Sequence, residues 1–259
     1  MSEEATKILA VIVLVGAVCV LIYGFFHAWR RSSFTLIQYP FYLFHLFMVH
    51  MVWRTTVTGK LPVGRGEGAI IIGNHRSSID PSFIQVAADR VVHWMIASEY
   101  WKVSFLGWFF RVAECIPANR GGVDTAAVKM AIRYAQSGGL VGLFPEGTVN
   151  QTDKLLLPGR PGAALVALKA RVPVIPCYIH DAPYDGTMLG CFIIPAKVRV
   201  AIGPAIDLTP YFGREREEGV LQELTKRFLS EIAKLAGHPE FEPELAGRKW
   251  KPAESGDNG

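Results

Sequence analysis

At 259 residues, the chain has room for one ordinary domain with additions, or for two small ones. Half of it is hydrophobic, which is high for a soluble globular protein, and its formal charge of +4 suits anionic lipid or phosphate partners without requiring nucleic acid. The four cysteines (Cys19, Cys115, Cys177 and Cys191) form no CxxC pair and no secreted-type framework, so they read as reduced structural thiols.

The excess hydrophobicity begins at the N-terminus. Ile8 to Phe26 carries no charge, and as a helix it would span ~28 Å, close to the thickness of a bilayer core. Glu3 and Glu4 precede it and bulky residues follow, which are the wrong flanks for a cleaved signal peptide. Arg30 and Arg31 close it, so the positive-inside rule puts the bulk of the chain in the cytoplasm. Residues 1–33 therefore read as a transmembrane anchor.

Residues 34–60 hold a second apolar stretch, Phe34 to Trp53, crowded with aromatics. Pro40 suits the start of its helix, and Gln38 and His45 make a narrow polar stripe. A second span is one reading. A helix at the membrane interface, or packed between bilayer and domain, is preferred, because a span would put Arg30 and Arg31 opposite Arg54.

Residues 61–236 change to an α/β pattern. Short apolar runs predict buried strands at Ala69–Gly73, Val92–Ala97, Leu140–Phe144, Val174–Ile179 and Val198–Ile202. Helices are predicted at Pro81–Ala88, Tyr100–Ala113, Asp124–Gln136 with Asp124 as N-cap, Pro161–Ala170 and Arg214–Leu235. The alternation implies a mostly parallel central sheet flanked by helices. Residues 237–259 turn polar and Pro/Gly-rich, which predicts a loose tail.

Within this pattern, Asn74-His75-Arg76-Ser77-Ser78-Ile79-Asp80-Pro81 joins an imidazole to a carboxylate. An imidazole takes a proton near neutral pH, and a carboxylate beside it can orient the ring and stabilise its cation. No Gly-x-Ser-x-Gly elbow supplies a serine nucleophile, which points to a base acting directly on a substrate hydroxyl. On one continuous helix His75 and Asp80 would lie about 140° apart, so they must straddle a strand end and a helix start. Taken alone, Asp80 before Pro81 also reads as a helix N-cap, and His75 as a hydrogen-bonded loop histidine.

Three further segments raise the pair. Phe144-Pro145-Glu146-Gly147-Thr148 sets a carboxylate and a hydroxyl at a strand end, where open α/β sheets bind ligands, although a Pro-Glu-Gly turn serves shape alone. Arg120, at another strand end, can hold phosphate or be merely solvated. Val172-Pro173-Val174-Ile175-Pro176 reads as a core strand. Two other features carry less. Gly64-x-Gly66-x-Gly68 opens no helix and is no dinucleotide loop. Lys102, Arg111, Lys129 and Arg133 read either as a docking face for an acyl carrier or as solvated helix faces.

Together the blocks Asn74-His75-x4-Asp80, Arg120, Phe144–Thr148 and Val172–Pro176 resemble, in order and spacing, those of the glycerolipid acyltransferase family, whose best-known members are the 1-acylglycerol-3-phosphate acyltransferases. The resemblance covers roughly Leu61 to Ile202. It implies His75 as the general base that takes the proton from an acceptor hydroxyl, with Asp80 orienting it. The acceptor oxygen would attack an acyl thioester of coenzyme A or acyl carrier protein, with no metal, no bound cofactor and no acyl-enzyme. Glu146, Gly147 and Thr148 would shape the acceptor site, with Arg120 contributing to phosphate binding. Val149 and Ala97 stand where many relatives carry basic residues linked to the substrate phosphate. Arg160 matches a basic position of relatives, and Arg76 is a further candidate. Membrane lipids and an acyl-thioester donor are the implied partners.

Overall fold

The computed structural model describes residues 2–119, 124–184, 186–187 and 190–247. Helix α1 runs from Glu3 to Arg30 with no buried residue. Its length and composition are those of a helix that can cross a membrane. Helix α2 (Gln38–Phe47) follows and widens into a π turn over Met48–Val52. Met48, Val49 and Trp53 enter the core of the domain, whereas Leu43, Phe44, Phe47 and Met51 stay exposed. Gln38 and His45 fall on the domain side: Gln38 Nε2 donates to the Val112 carbonyl (2.8 Å) and to Glu114 Oε1 (3.0 Å), and His45 Nε2 lies 2.8 Å from the Ser82 carbonyl.

The domain is a seven-stranded sheet built from β1 (Thr56–Thr58), β2 (Ala69–Gly73), β3 (Val92–Ala97), β4 (Ile116–Ala118), β5 (Leu140–Leu143), β6 (Val174–His180) and β7 (Arg199–Ile202). Its order is β1-β7-β6-β2-β5-β3-β4, and only the β6–β7 pair is antiparallel. Strand β2 lies centrally and is wholly buried, as expected of an apolar run in a parallel sheet. Alternate side chains serve opposite faces. Ile70 and Ile72 pack toward α5 (Thr125–Gln136), α6 (Gly162–Ala170) and α7 (Val220–Leu235). Ala69 and Ile71 pack with Trp53 and with Phe83 and Ile84 of α3 (Asp80–Gln85).

Several expectations shift. The sheet begins at Thr56, inside the segment assigned to the aromatic helix; β1 is three exposed residues and leaves no apolar signature. Strand β4 contains Pro117, which an edge strand tolerates because one of its sides needs no donor. Tyr100–Ala113 divides into a 3₁₀ turn (Ser98–Lys102), extended Val103 and helix α4 (Ser104–Val112). The predicted Arg214 start moves to Val220, because Gly219 takes a left-handed φ of +84°. Asp124 does cap α5, accepting from the N–H groups of Ala126 and Ala127, both at 3.0 Å. The segment expected as a loose tail is docked as far as it is described: the Gly159 N–H donates to the Glu244 carbonyl (2.9 Å) and the Ala246 N–H to the Gly159 carbonyl (2.9 Å).

Candidate active site

Because β2, β5, β3 and β4 are parallel, the loops that follow them gather on one edge of the sheet. Asn74 closes β2: its amide accepts from the Ile179 N–H (2.7 Å) and donates to the Ile179 carbonyl (3.0 Å), extending the sheet by one side chain. His75 follows, and the chain then folds back so that Asp80 opens α3. His75 Nδ1 lies 3.0 Å from Asp80 Oδ2. That oxygen also accepts the N–H groups of Arg76 (2.6 Å) and Ser77 (2.8 Å), so Nδ1 is the donor and Nε2 is the ring nitrogen able to accept a proton. Asp80 is fully buried, and the His75 side chain is 17% exposed. The N-cap alternative fails, because the cap residue is Ile79 and the Asp80 carboxylate closes the preceding loop instead.

The imidazole is also held from the side. It stacks on Phe144 with centroids 4.0 Å apart, and Phe144 stacks on Trp94 at 4.9 Å. Trp94 can lie flat over β5 because residue 142 is glycine; a Cβ there would come within 2.4 Å of the indole.

Glu146 serves the backbone. Its Oε1 accepts the His75 N–H (2.8 Å) and its Oε2 the Leu157 N–H (2.7 Å), so it ties the His75 loop to the loop carrying Arg160. Burial pushes its carboxyl up to about 8, against the pull of the Leu157 and His75 N–H donors. The resemblance suggested that Glu146 shapes the acceptor site; it is fully buried and absent from the cavity wall. Gly147 and Thr148 do line the cavity. Gly147 has a φ of +72°, and a Cβ on it would meet Arg160 Cδ at 2.9 Å. Arg160 thus lies across the turn, with its N–H on the Pro145 carbonyl at 2.8 Å.

Arg76 turns away from the cavity wall, its Nη1 donating to the carbonyls of Thr152 (2.7 Å) and Lys154 (3.3 Å). Arg120 lies outside the described residues. The cavity, about 1240 Å³, is lined by His75, Thr148, Val149 and Arg160, and elsewhere by aromatics such as Phe41, Phe44, Phe105, Phe109 and Phe110. Among its described lining residues, Arg160 is the one arginine or lysine.

A family model described as Acyltransferase matches residues 54–180, the stretch that contains both blocks of this site. The chain belongs to the glycerolipid acyltransferase family. The acyltransferase is 25% identical over 165 residues to a 1-acyl-sn-glycerol-3-phosphate acyltransferase of Bacillus subtilis, covering 62% of this chain and 79% of that one. A protein of the same name from Borreliella burgdorferi is 26% identical over 167 residues, covering 63% of this chain and 66% of the relative. The fold is shared with the crystal structure of a 1-acyl-sn-glycerophosphate acyltransferase from Thermotoga maritima, with a TM-score of 0.57, 23% identity, and coverage of 85% of this chain and 92% of that chain.

Residue patterns alone gave no role to Asn74 and Phe144, although both lie in the blocks, and missed Trp94 and Leu157. Asn74 has a signal, an amide placed where the ladder of β2 runs out. Gly142 inside a buried strand signals a close approach. Leu157 contributes only its N–H, which no side-chain pattern reveals.

Proposed function

We propose that this acyltransferase is membrane-bound and moves a fatty acyl group from an acyl thioester, of coenzyme A or acyl carrier protein, to a lysophospholipid hydroxyl. The proposed acceptor is 1-acylglycerol-3-phosphate and the product phosphatidic acid. The observation that carries the reading is His75, anchored through Nδ1 to buried Asp80, on the wall of a cavity whose remaining wall is largely apolar, with aromatic rings among aliphatic side chains. His75 Nε2 removes the acceptor hydroxyl proton as the oxygen attacks the thioester carbonyl. The ester C–O bond forms, the C–S bond breaks, and the departing thiolate takes the proton from His75 Nε2, which restores the imidazole. A thiol with a pKa near ~8.5 leaves readily without a strong general acid. Asp80 orients the imidazole and stabilises its charged form.

Arg160 supports a phosphate-bearing acceptor, and the relatives' names point to 1-acylglycerol-3-phosphate. A second acceptor is favoured by one residue. Val149 presents an apolar side chain to the cavity where many relatives carry arginine, so a lysophospholipid with a phosphodiester, needing less positive charge, also fits. Helix α1 supports anchoring, and Arg30 and Arg31 at its end support a cytoplasmic domain.

The test is an assay of purified full-length protein against a panel of lysolipids with both thioester donors, beside His75→Ala. Transfer to 1-acylglycerol-3-phosphate that disappears in the variant, while the variant stays folded, is the expected result. Retained transfer in His75→Ala would remove the base assignment. Preference for a phosphodiester acceptor would select the second reading.

A further inference from the structure

We propose that α4 is a second membrane-inserting element, laid in the interface of an anionic bilayer with Phe105 and Trp108 among the acyl chains and Lys102 and Arg111 at lipid phosphates. The inference rests on the reading of the protein as a membrane enzyme, and it assigns contacts that α1 and α2 do not make. Phe105, Trp108 and Arg111 follow one another at three-residue spacing, so they share a face of α4. That face is largely open: Phe105, which also borders the cavity, is 66% exposed, Trp108 43%, and Val103, just before the helix, 53%. The other face is apolar as well, with Leu106, Phe109 and Phe110 on the cavity wall. A helix apolar on both sides needs an apolar neighbour outside the protein too.

What that neighbour is follows from continuity and charge. Phe41 of α2 packs against Trp108 and Phe109 at 5.6 and 5.5 Å, and Tyr39 of the same helix packs against Phe25 of α1 at 5.3 Å. The exposed side of α4 therefore continues an aromatic surface that begins on the helix long and apolar enough to span a bilayer. Lys102 and Arg111 flank the apolar face, both exposed and without an ion pair among the described residues. Exposed cations bracketing Phe and Trp form the pattern of an interfacial helix on anionic lipid, with tryptophan at headgroup depth. The same two cations would otherwise read as part of a carrier-docking face.

The test places full-length protein in vesicles of phosphatidylcholine with or without phosphatidylglycerol, using lipids brominated on the upper acyl chain. Tryptophan emission is compared between the protein and Trp108→Phe, so that the difference isolates Trp108. The expected result is that bromolipid quenches this difference about twofold or more, while aqueous iodide leaves it intact. Lys102→Glu with Arg111→Glu should bring the quenching in phosphatidylglycerol vesicles down to the level in phosphatidylcholine alone. Quenching by iodide but not bromolipid overturns the proposal. Protection from both quenchers also overturns it and points to a second protein copy on this face. Unchanged quenching after charge reversal overturns the lipid-phosphate contacts. Because quenching needs no turnover, an inactive protein with a quenched Trp108 would sink the proposed reaction and leave this inference standing.

Discussion

The imidazole of His75 lies flat against the ring of Phe144, their planes 7° apart. A ring stacked in this way cannot rotate about its χ2 axis without displacing Phe144, so the stack sets the ring plane while Asp80 sets its direction. The face of Phe144 also favours the imidazolium of the proposed reaction, an effect of about 1 kcal/mol. Phe144→Leu should therefore lower kcat about tenfold with little change in KM, while Phe144→Tyr keeps most activity. Equal losses in both variants, measured in steady-state assays, would remove the stacking role.

Asp80→Asn is expected to harm both activity and stability. Oδ2 receives three donors, from His75, Arg76 and Ser77, while Oδ1 is buried with no hydrogen-bond partner among the described residues. An asparagine amide has no good placement there. Its NH2 either faces those donors or sits where nothing accepts. A stability loss of about 1–3 kcal/mol should accompany a large fall in kcat. A variant as stable as the parent, by thermal melting in detergent, would contradict the loop-closing role.

Glu146 makes a pH-dependent contribution to stability. Its carboxyl sits at about 8 in the folded protein against an ordinary 4.5, burial being the main cause. Between those values the folded chain holds a proton that the unfolded chain has lost, so this contribution is full below 4.5 and is lost as pH rises toward 8. Glu146→Gln cannot titrate. Melting curves at pH 5, 6.5 and 8 should show the parent losing ground to the variant as pH rises; a constant difference would contradict the raised value.

Arg160 is the cavity's described cation, and the C-terminal segment helps to place it. Arg160→Ala should raise KM for a phosphate-bearing acceptor about 10- to 100-fold, the worth of a charge-assisted bond. Deleting residues 244–259 frees Gly159, the neighbour that Glu244 and Ala246 pin, and should raise the same KM about fivefold with kcat nearly kept. Initial-rate measurements at varied acceptor concentration check both. A fall in kcat without a change in KM would remove Arg160 from phosphate binding and the C-terminal segment from placing it.

Much of the frame is legible in the sequence. Ala69–Gly73 and Leu140–Leu143 are apolar runs buried in a parallel sheet, and His75 and Glu146 follow shortly after them. The five-residue step from His75 to Asp80 excludes a shared helix, and the observed corner puts them 3.0 Å apart. Less legible is whatever depends on distant backbone. The orientation of Glu146 is set by the N–H of Leu157, and a polar tail gives no hint that Leu245 pairs beside Gly159. Arg76 shows the same limit: its charge suggests phosphate, but two carbonyls far along the chain claim its guanidinium. Short edge strands such as β1 carry too few apolar residues to announce themselves.

Gly142 gives this arrangement an unusual kind of fragility. The nearest ring to it is Trp94, and beyond Trp94 lie Phe144 and then the imidazole, like plates on a rack. One added methyl at 142 would push the first plate, and the shift would be handed on to the last. The aim of the His75 imidazole thus rests on an absent side chain in the middle of the sheet.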